Sequence, residues 1–164
     1  NDAAGVMLVP AFTGWGTPHW DPKARGLLIG LTRDSQRGHI ARAALNGIAL
    51  SVATLVELAE DSLEHKLNVL AVDGGAAASD SLLQAQADST GINVRRPKTL
   101  ESTARGVALL AGVQAEVIDD LKELKSDWEK SAEIFTSNLE AQERLQWRSQ
   151  WDDAVKRSLN WHGE

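Results

Sequence analysis

Cysteine is missing from this chain of 164 residues, which excludes disulfides and thiolate metal sites. Histidine is scarce: His19, His39, His65 and His162 are scattered without HxxxH or HxxEH spacing, so no metal site is expected. No run reaches the roughly 18 apolar residues of a membrane-spanning helix, and no charged-then-apolar leader opens the chain. The expectation is therefore no membrane partner and a reducing, cytoplasmic setting. Basic charge is also in deficit, with 17 Lys and Arg against 23 Asp and Glu, a net −6. Without a basic stripe carrying interleaved aromatics, nucleic acid is disfavoured as a partner. Neither GxxxxGK nor GxGxxG occurs, so the P-loop and dinucleotide fingerprints fail.

What remains is an ordinary globular composition, 43% hydrophobic and 24% charged, in a chain long enough to bury a core. The first residues lack a methionine start and read as an artificial boundary or the middle of a longer polypeptide. The acidity is concentrated late: residues 116–164 carry 12 acidic and 7 basic side chains.

Val6–Val9 reads as a short strand stopped by Pro10. A loop dense in glycine and proline follows, with Trp15 and Trp20 as expected anchors. Gly26–Gly30 is a second apolar strand. From about Gln36 or His39 to Leu63 the pattern is helical, with Ile40, Ala43, Ala44, Gly47, Ile48, Ser51 and Leu55 on one stripe. His39 at its start reads as a capping or packing residue rather than a base. Asn68–Asp73 is a strand and Ser79–Thr90 a helix, with Leu82, Leu83, Ala85 and Ala87 facing inward. Its expected N-cap is Asp80 or Ser81, the latter in capping-box spacing with Gln84, and its C-terminal glycine is Gly91. Ile92–Arg95 is a strand and Glu101–Ala115 a small-residue helix with Ala104, Ala108 and Ala111 in one row. Helix, strand, helix, strand, helix implies mostly parallel strands with helical crossovers, an open α/β sheet. Residues 116–164 read as surface helices, Ile118–Lys130 weakly and Leu139–Asn160 strongly. Trp147, Trp151, Val155 and Leu159 form the apolar row of the last helix.

Leu70–Ser79, Leu-Ala-Val-Asp-Gly-Gly-Ala-Ala-Ala-Ser, is where chemistry is expected. A buried strand ending in an acid and two glycines delivers bare backbone at its carboxyl end, where open α/β sheets bind ligands. Glycine removes the Cβ that would keep a planar group off the chain. The next helix N-terminus, near residues 79–81, offers free N–H groups and a positive dipole end suited to phosphate. The same residues would also serve a junction that needs glycine only to turn.

Several blocks in order resemble the FGGY carbohydrate kinases, in their glycerol-phosphorylating form. They are Val9–Pro22 continued by Ala24–Gly26; the G-x-apolar-x-G-apolar run from Gly26 with His39-Ile40, Arg42-Ala43 and Leu45; Asp73-Gly74-Gly75-Ala76; Glu101, Thr103, Ala104 and Gly106; and Trp151, Ala154-Val155, Arg157 and Trp161. The resemblance implies a ribonuclease-H-like, actin-like ATPase fold, present here in part. Residues 1–115 would belong to the second, nucleotide-side domain, and 116–164 would be a helical extension packed on it. It implies ATP and Mg as cofactors, with Asp73, Gly74, Gly75, Ala76 and Ser79 on the adenosine side. It assigns no catalytic residue and no metal ligand to this segment. Glycerol would be bound mainly by an N-terminal part not spanned here, and a homo-oligomer is compatible with the family. Departures stand at Asn46, where Glu, Asp or Gln is usual, at Ser79, where Asn is usual, and at Arg105, where Leu is common. The alternatives are a kinase of another polyol or pentose, and a non-catalytic assembly module working through the acidic, tryptophan-bearing last helix.

Overall fold

Backbone hydrogen bonding sorts the strands into two small sheets. The computed structural model describes residues 2–119 and 131–162. Strands β1 (Met7–Val9) and β2 (Leu27–Ile29) pair antiparallel, with Val9 opposite Leu27. After helix α1 (Arg37–Leu63) come β3 (Val69–Ala71), a 3-10 turn at Gly75–Ala78, helix α2 (Asp80–Thr90) and β4 (Asn93–Arg96). Helix α3 (Ser102–Gln114), strand β5 (Glu133–Phe135) and helix α4 (Ala141–Ser158) follow. The second sheet has the order β3-β4-β5.

Among the described strands, β3–β4 pairs parallel, and β4–β5 and β1–β2 pair antiparallel. The expectation of mostly parallel strands holds where a helix bridges two strands, as α2 does between β3 and β4, because parallel neighbours need a crossover. The loop 10–26 contains no helix, and β2 returns beside β1. Residues 116–164 are not all helix either, since Glu133–Phe135 adds an edge to the sheet. Three residues are too few to carry a two-residue periodicity. The helix expected over Ile118–Lys130 falls mostly outside the described residues.

The long helix α1 forms as its pattern predicts, but its buried face is rotated. Ala43, Gly47, Ala49, Leu50, Ala53 and Val56 are buried, whereas Ile48 and Leu55 are 43% and 49% exposed. The face is set by the partners α1 packs on, chiefly β1 and α2. At Gly47 the helix comes so close to β1 that a Cβ would stand 2.0 Å from the Leu8 carbonyl oxygen. By length and hydropathy α1 is also long and apolar enough to cross a bilayer, contrary to the sequence expectation. In the fold that apolarity is spent partly on β1, α2 and α4.

Trp151 anchors the main core, packed with Val9, Ala11, Ala24, Leu50, Ala154 and Val155. Helix α4 thus docks as its tryptophan row predicts. Trp15 joins it, edge-on to Trp151 at 6.2 Å, and donates from Nε1 to the Ser158 hydroxyl at 3.1 Å. Trp20 does not; it is 74% exposed. Arg148 carries no signal in the sequence pattern. It is buried, donating to the Leu50 carbonyl at 3.0 Å and to Glu57 at 2.5 Å, which fastens α4 to α1. Helix α3 buries none of its residues, and the row Ala104, Ala108 and Ala111 is exposed.

Candidate nucleotide site

The junction between β3 and α2 is held from below by β4 and the segment after it. Val72 N–H donates to the Arg95 carbonyl at 3.0 Å, and Gly74 N–H donates to the Leu100 carbonyl at 2.9 Å. Gly74 has φ 79° and ψ 179°, a conformation essentially reserved for glycine. The fold itself therefore requires glycine at 74. Gly75 differs: its φ is not positive, and a Cβ there would meet no heavy atom within 4 Å. Neither backbone nor neighbours require glycine at 75, and the absence of a side chain leaves the main chain bare toward open space.

Residues Asp73, Gly75 and Ala76 are exposed, and Gly74 and Ser79 are half-buried. All five expected residues thus lie on one continuous strand-to-helix junction. Ala77, 2% exposed, pins the turn to the cluster of Leu83, Ala87 and Val94. The N-cap of α2 is Ser79, whose hydroxyl oxygen accepts from Leu82 N–H at 3.3 Å. Asp80 and Ser81, the expected caps, instead lie inside the helix. Turn formation decides this: Ser79 ends the 3-10 turn in extended backbone, so the α-helix starts immediately after it. A hydroxyl that accepts one bond keeps its own proton, so Ser79 can still donate outward.

Arg96, which sequence reasoning did not single out, lies under this junction. Its Nη1 donates to the Ala77 carbonyl at 3.0 Å and contacts Asp80 Oδ1 at 2.7 Å. Its Nη2 meets Glu133 at 2.5 Å, and its guanidinium stands 5.1 Å from the Phe135 ring centre. Glu133 first, then Asp80, holds the guanidinium above its ordinary pKa. The only sequence signal was an arginine at the end of a strand before Pro97, which names no partner.

A cavity of about 650 Å³ adjoins the first turn of α2 and is lined by Arg42, Asn46, Asp80, Ser81, Gln84 and Trp147 among others. None of residues 73–79 lines it. His39 caps α1 as expected, its Nδ1 accepting from Gln36 N–H at 3.3 Å. Among the described residues, no three His, Asp or Glu side chains gather where they could hold a metal ion.

The family model described as the FGGY family of carbohydrate kinases, C-terminal domain, matches residues 1–115. The chain belongs to the FGGY family. It is 46% identical over 160 residues to glycerol kinase 2 of Saccharolobus solfataricus, covering 98% of this chain and 32% of that protein. It is 48% identical over 160 residues to the glycerol kinase of Trichlorobacter lovleyi, with the same shares. The crystal structure of Plasmodium falciparum glycerol kinase with ADP matches with a TM-score of 0.87 and 33% identity, over 96% of this chain and 31% of that one. The α/β fold is thus that of FGGY kinases, present in part, and the chain spans about a third of the length of the curated relatives it matches.

Proposed function

We propose that this chain is the nucleotide-side, carboxyl-terminal segment of an ATP-dependent glycerol kinase, with Asp73, Gly74, Gly75, Ala76 and Ser79 forming the face against adenosine. The observation that carries the reading is Gly75, a glycine that neither conformation nor packing demands, on an exposed turn at the carboxyl end of a parallel strand. The flat backbone of 74–75 would take the planar part of the nucleotide, and the Ser79 hydroxyl would donate a hydrogen bond to it. Glycerol as acceptor is supported by identities of 46% and 48% to glycerol kinases. The intact enzyme would work in the cytoplasm.

Residues 1–115 would form part of the second domain, with 116–164 packed on it. Residues of this chain bind and orient; none is assigned to proton transfer. Phosphoryl transfer depends on positioning and on charge stabilisation around the phosphates. The described residues bring together no carboxylate set suited to Mg²⁺, so the metal that accompanies ATP would be held by other parts of the intact protein.

The test is a coupled ADP-release assay on the intact gene product with glycerol, xylulose and gluconate. Glycerol is expected to be the preferred acceptor, and a preference for xylulose or gluconate would overturn the substrate assignment. Gly75→Val is expected to raise the KM for ATP about tenfold or more, because a branched side chain would stand on the nucleotide face. An unchanged KM for ATP with only glycerol binding impaired would remove the site from residues 73–79. The 164-residue chain alone is expected to show no turnover.

A further inference from the structure

We propose that Arg96 is a positioning residue for the nucleotide: it helps fix the height of the 73–79 junction above the sheet and offsets part of the negative charge of Asp80 at the ligand-facing end of α2. The inference rests on the reading of Gly74–Ser79 as the nucleotide face.

The 3-10 turn Gly75–Ala78 is a weak element. The bonds at its two ends are those of Ala77 N–H to Gly74 O at 3.1 Å and Ser79 N–H to Ala76 O at 3.2 Å, and 3-10 turns have poor hydrogen-bond geometry. The Gly74 N–H bond to the Leu100 carbonyl and the buried Ala77 already tie the turn to the sheet, and Arg96 adds a side-chain tie from β4 to its second half. It sits on β4, which is paired on both sides, to β3 and to β5. From there it reaches the Ala77 carbonyl in the turn and Asp80 in the first turn of α2. Glu133 on β5 and the ring of Phe135 hold the guanidinium from the other side, and its side chain is only 15% exposed.

Charge gives the second reason. Asp80, 73% exposed at its side chain, is favourable to the helix because a carboxylate complements the N-terminal dipole. The same carboxylate opposes an anionic ligand at that end of the helix. Arg96, 2.7 Å away and shared with Glu133, offsets part of that charge, so the helix end keeps more of its favourable field for phosphate. A merely structural arginine would fasten the turn without this second effect.

The experiment uses the intact gene product, with ADP affinity by calorimetry and KM and kcat for ATP. Gly75→Val serves as the control on the site itself. Arg96→Gln is expected to weaken ADP and raise the KM for ATP about tenfold, with kcat changed much less, since a charge-assisted bond and a charge offset are both lost. Arg96→Lys should recover part of the affinity as a point charge, and adding Asp80→Asn to Arg96→Gln should recover part as well. If Gly75→Val weakens ADP but Arg96→Gln lowers only the melting temperature, the inference fails and the site stands. If Gly75→Val leaves ADP affinity unchanged, the site reading fails and takes the inference with it. Should Arg96→Gln not fold, Arg96→Lys decides: ADP binding weakened and the KM for ATP raised with kcat little changed supports the inference, and unchanged ADP binding overturns it.

Discussion

Replacing Gly47 by alanine sets two effects of opposite sign against each other. Glycine inside a helix costs roughly 0.5–1 kcal/mol relative to alanine, so on propensity alone the substitution stabilises α1. Against that, the new Cβ would lie 2.0 Å from the Leu8 carbonyl oxygen, where ordinary contact begins at 3.4 Å. The obstacle is backbone of a paired strand, so no rotamer change relieves it, and α1 must withdraw from β1. That movement loosens the core that Leu50 shares with Val9 and Trp151. Overpacking of this kind costs about 1–3 kcal/mol and more where backbone moves, so the clash wins by about 2 kcal/mol. For a domain of this size that lowers the melting temperature by about 4–8 °C. Gly106 is the control: it lies inside α3 with no heavy atom within 4 Å of a Cβ, so alanine there should raise the melting temperature by about 1–4 °C. Scanning calorimetry on the two single variants reads both signs. A more stable Gly47→Ala variant, or equal shifts for the two, would refute the close approach of α1 to β1.

Three further outcomes are expected. Ser79→Ala should cost about 1 kcal/mol in urea unfolding through loss of the α2 cap, and no loss would sink the cap assignment. Arg148→Met keeps the apolar stem but leaves Glu57 without its partner and takes one of the bonds of the Leu50 carbonyl, which still accepts from the Thr54 hydroxyl. Because Glu57 stays 55% exposed, the loss should be about 2 kcal/mol rather than that of a fully buried pair, and a neutral result would refute the clamp. The Lys66 ammonium first, then the Leu67 N–H, holds the Glu60 carboxylate below its ordinary pKa. The stability it contributes is present above the ordinary glutamate value and lost as pH falls through the lowered folded value. Lys66 is raised by the same contact, so its share is lost as pH rises through the raised lysine value. Glu60→Gln should flatten both limbs of a melting-temperature profile, and an unchanged acid limb would argue against the pair.

Periodicity made the long elements legible. Helix α1 and helix α4 each carry several turns of apolar pattern, and their limits fall within a few residues of those expected. Helix α2 was readable to its inward residues because Leu82, Leu83, Ala85 and Ala87 are large or small in the right rows. The short elements were not. Strand β5 has three residues, and only its pairing with β4 makes it a strand. Local sequence did not separate Ser79 from Asp80 and Ser81 as the cap, since all three have capping side chains. The preceding 3-10 turn made the choice.

For the candidate site the division is similar. The sequence by itself placed Asp73, Gly74, Gly75, Ala76 and Ser79 together, because they are contiguous and glycine is chemically distinctive. It also determined the family, through blocks whose order and spacing are carried by the chain itself. Tertiary structure decided what each glycine is for: Gly74 is required by its left-handed backbone, and Gly75 by nothing inside the chain. It alone brought Arg96 beneath the turn, Arg148 across to α1 and Gly47 against Leu8. Each of these joins residues far apart in sequence or on different elements, and a one-dimensional pattern records which faces are apolar but not which partner a side chain will meet.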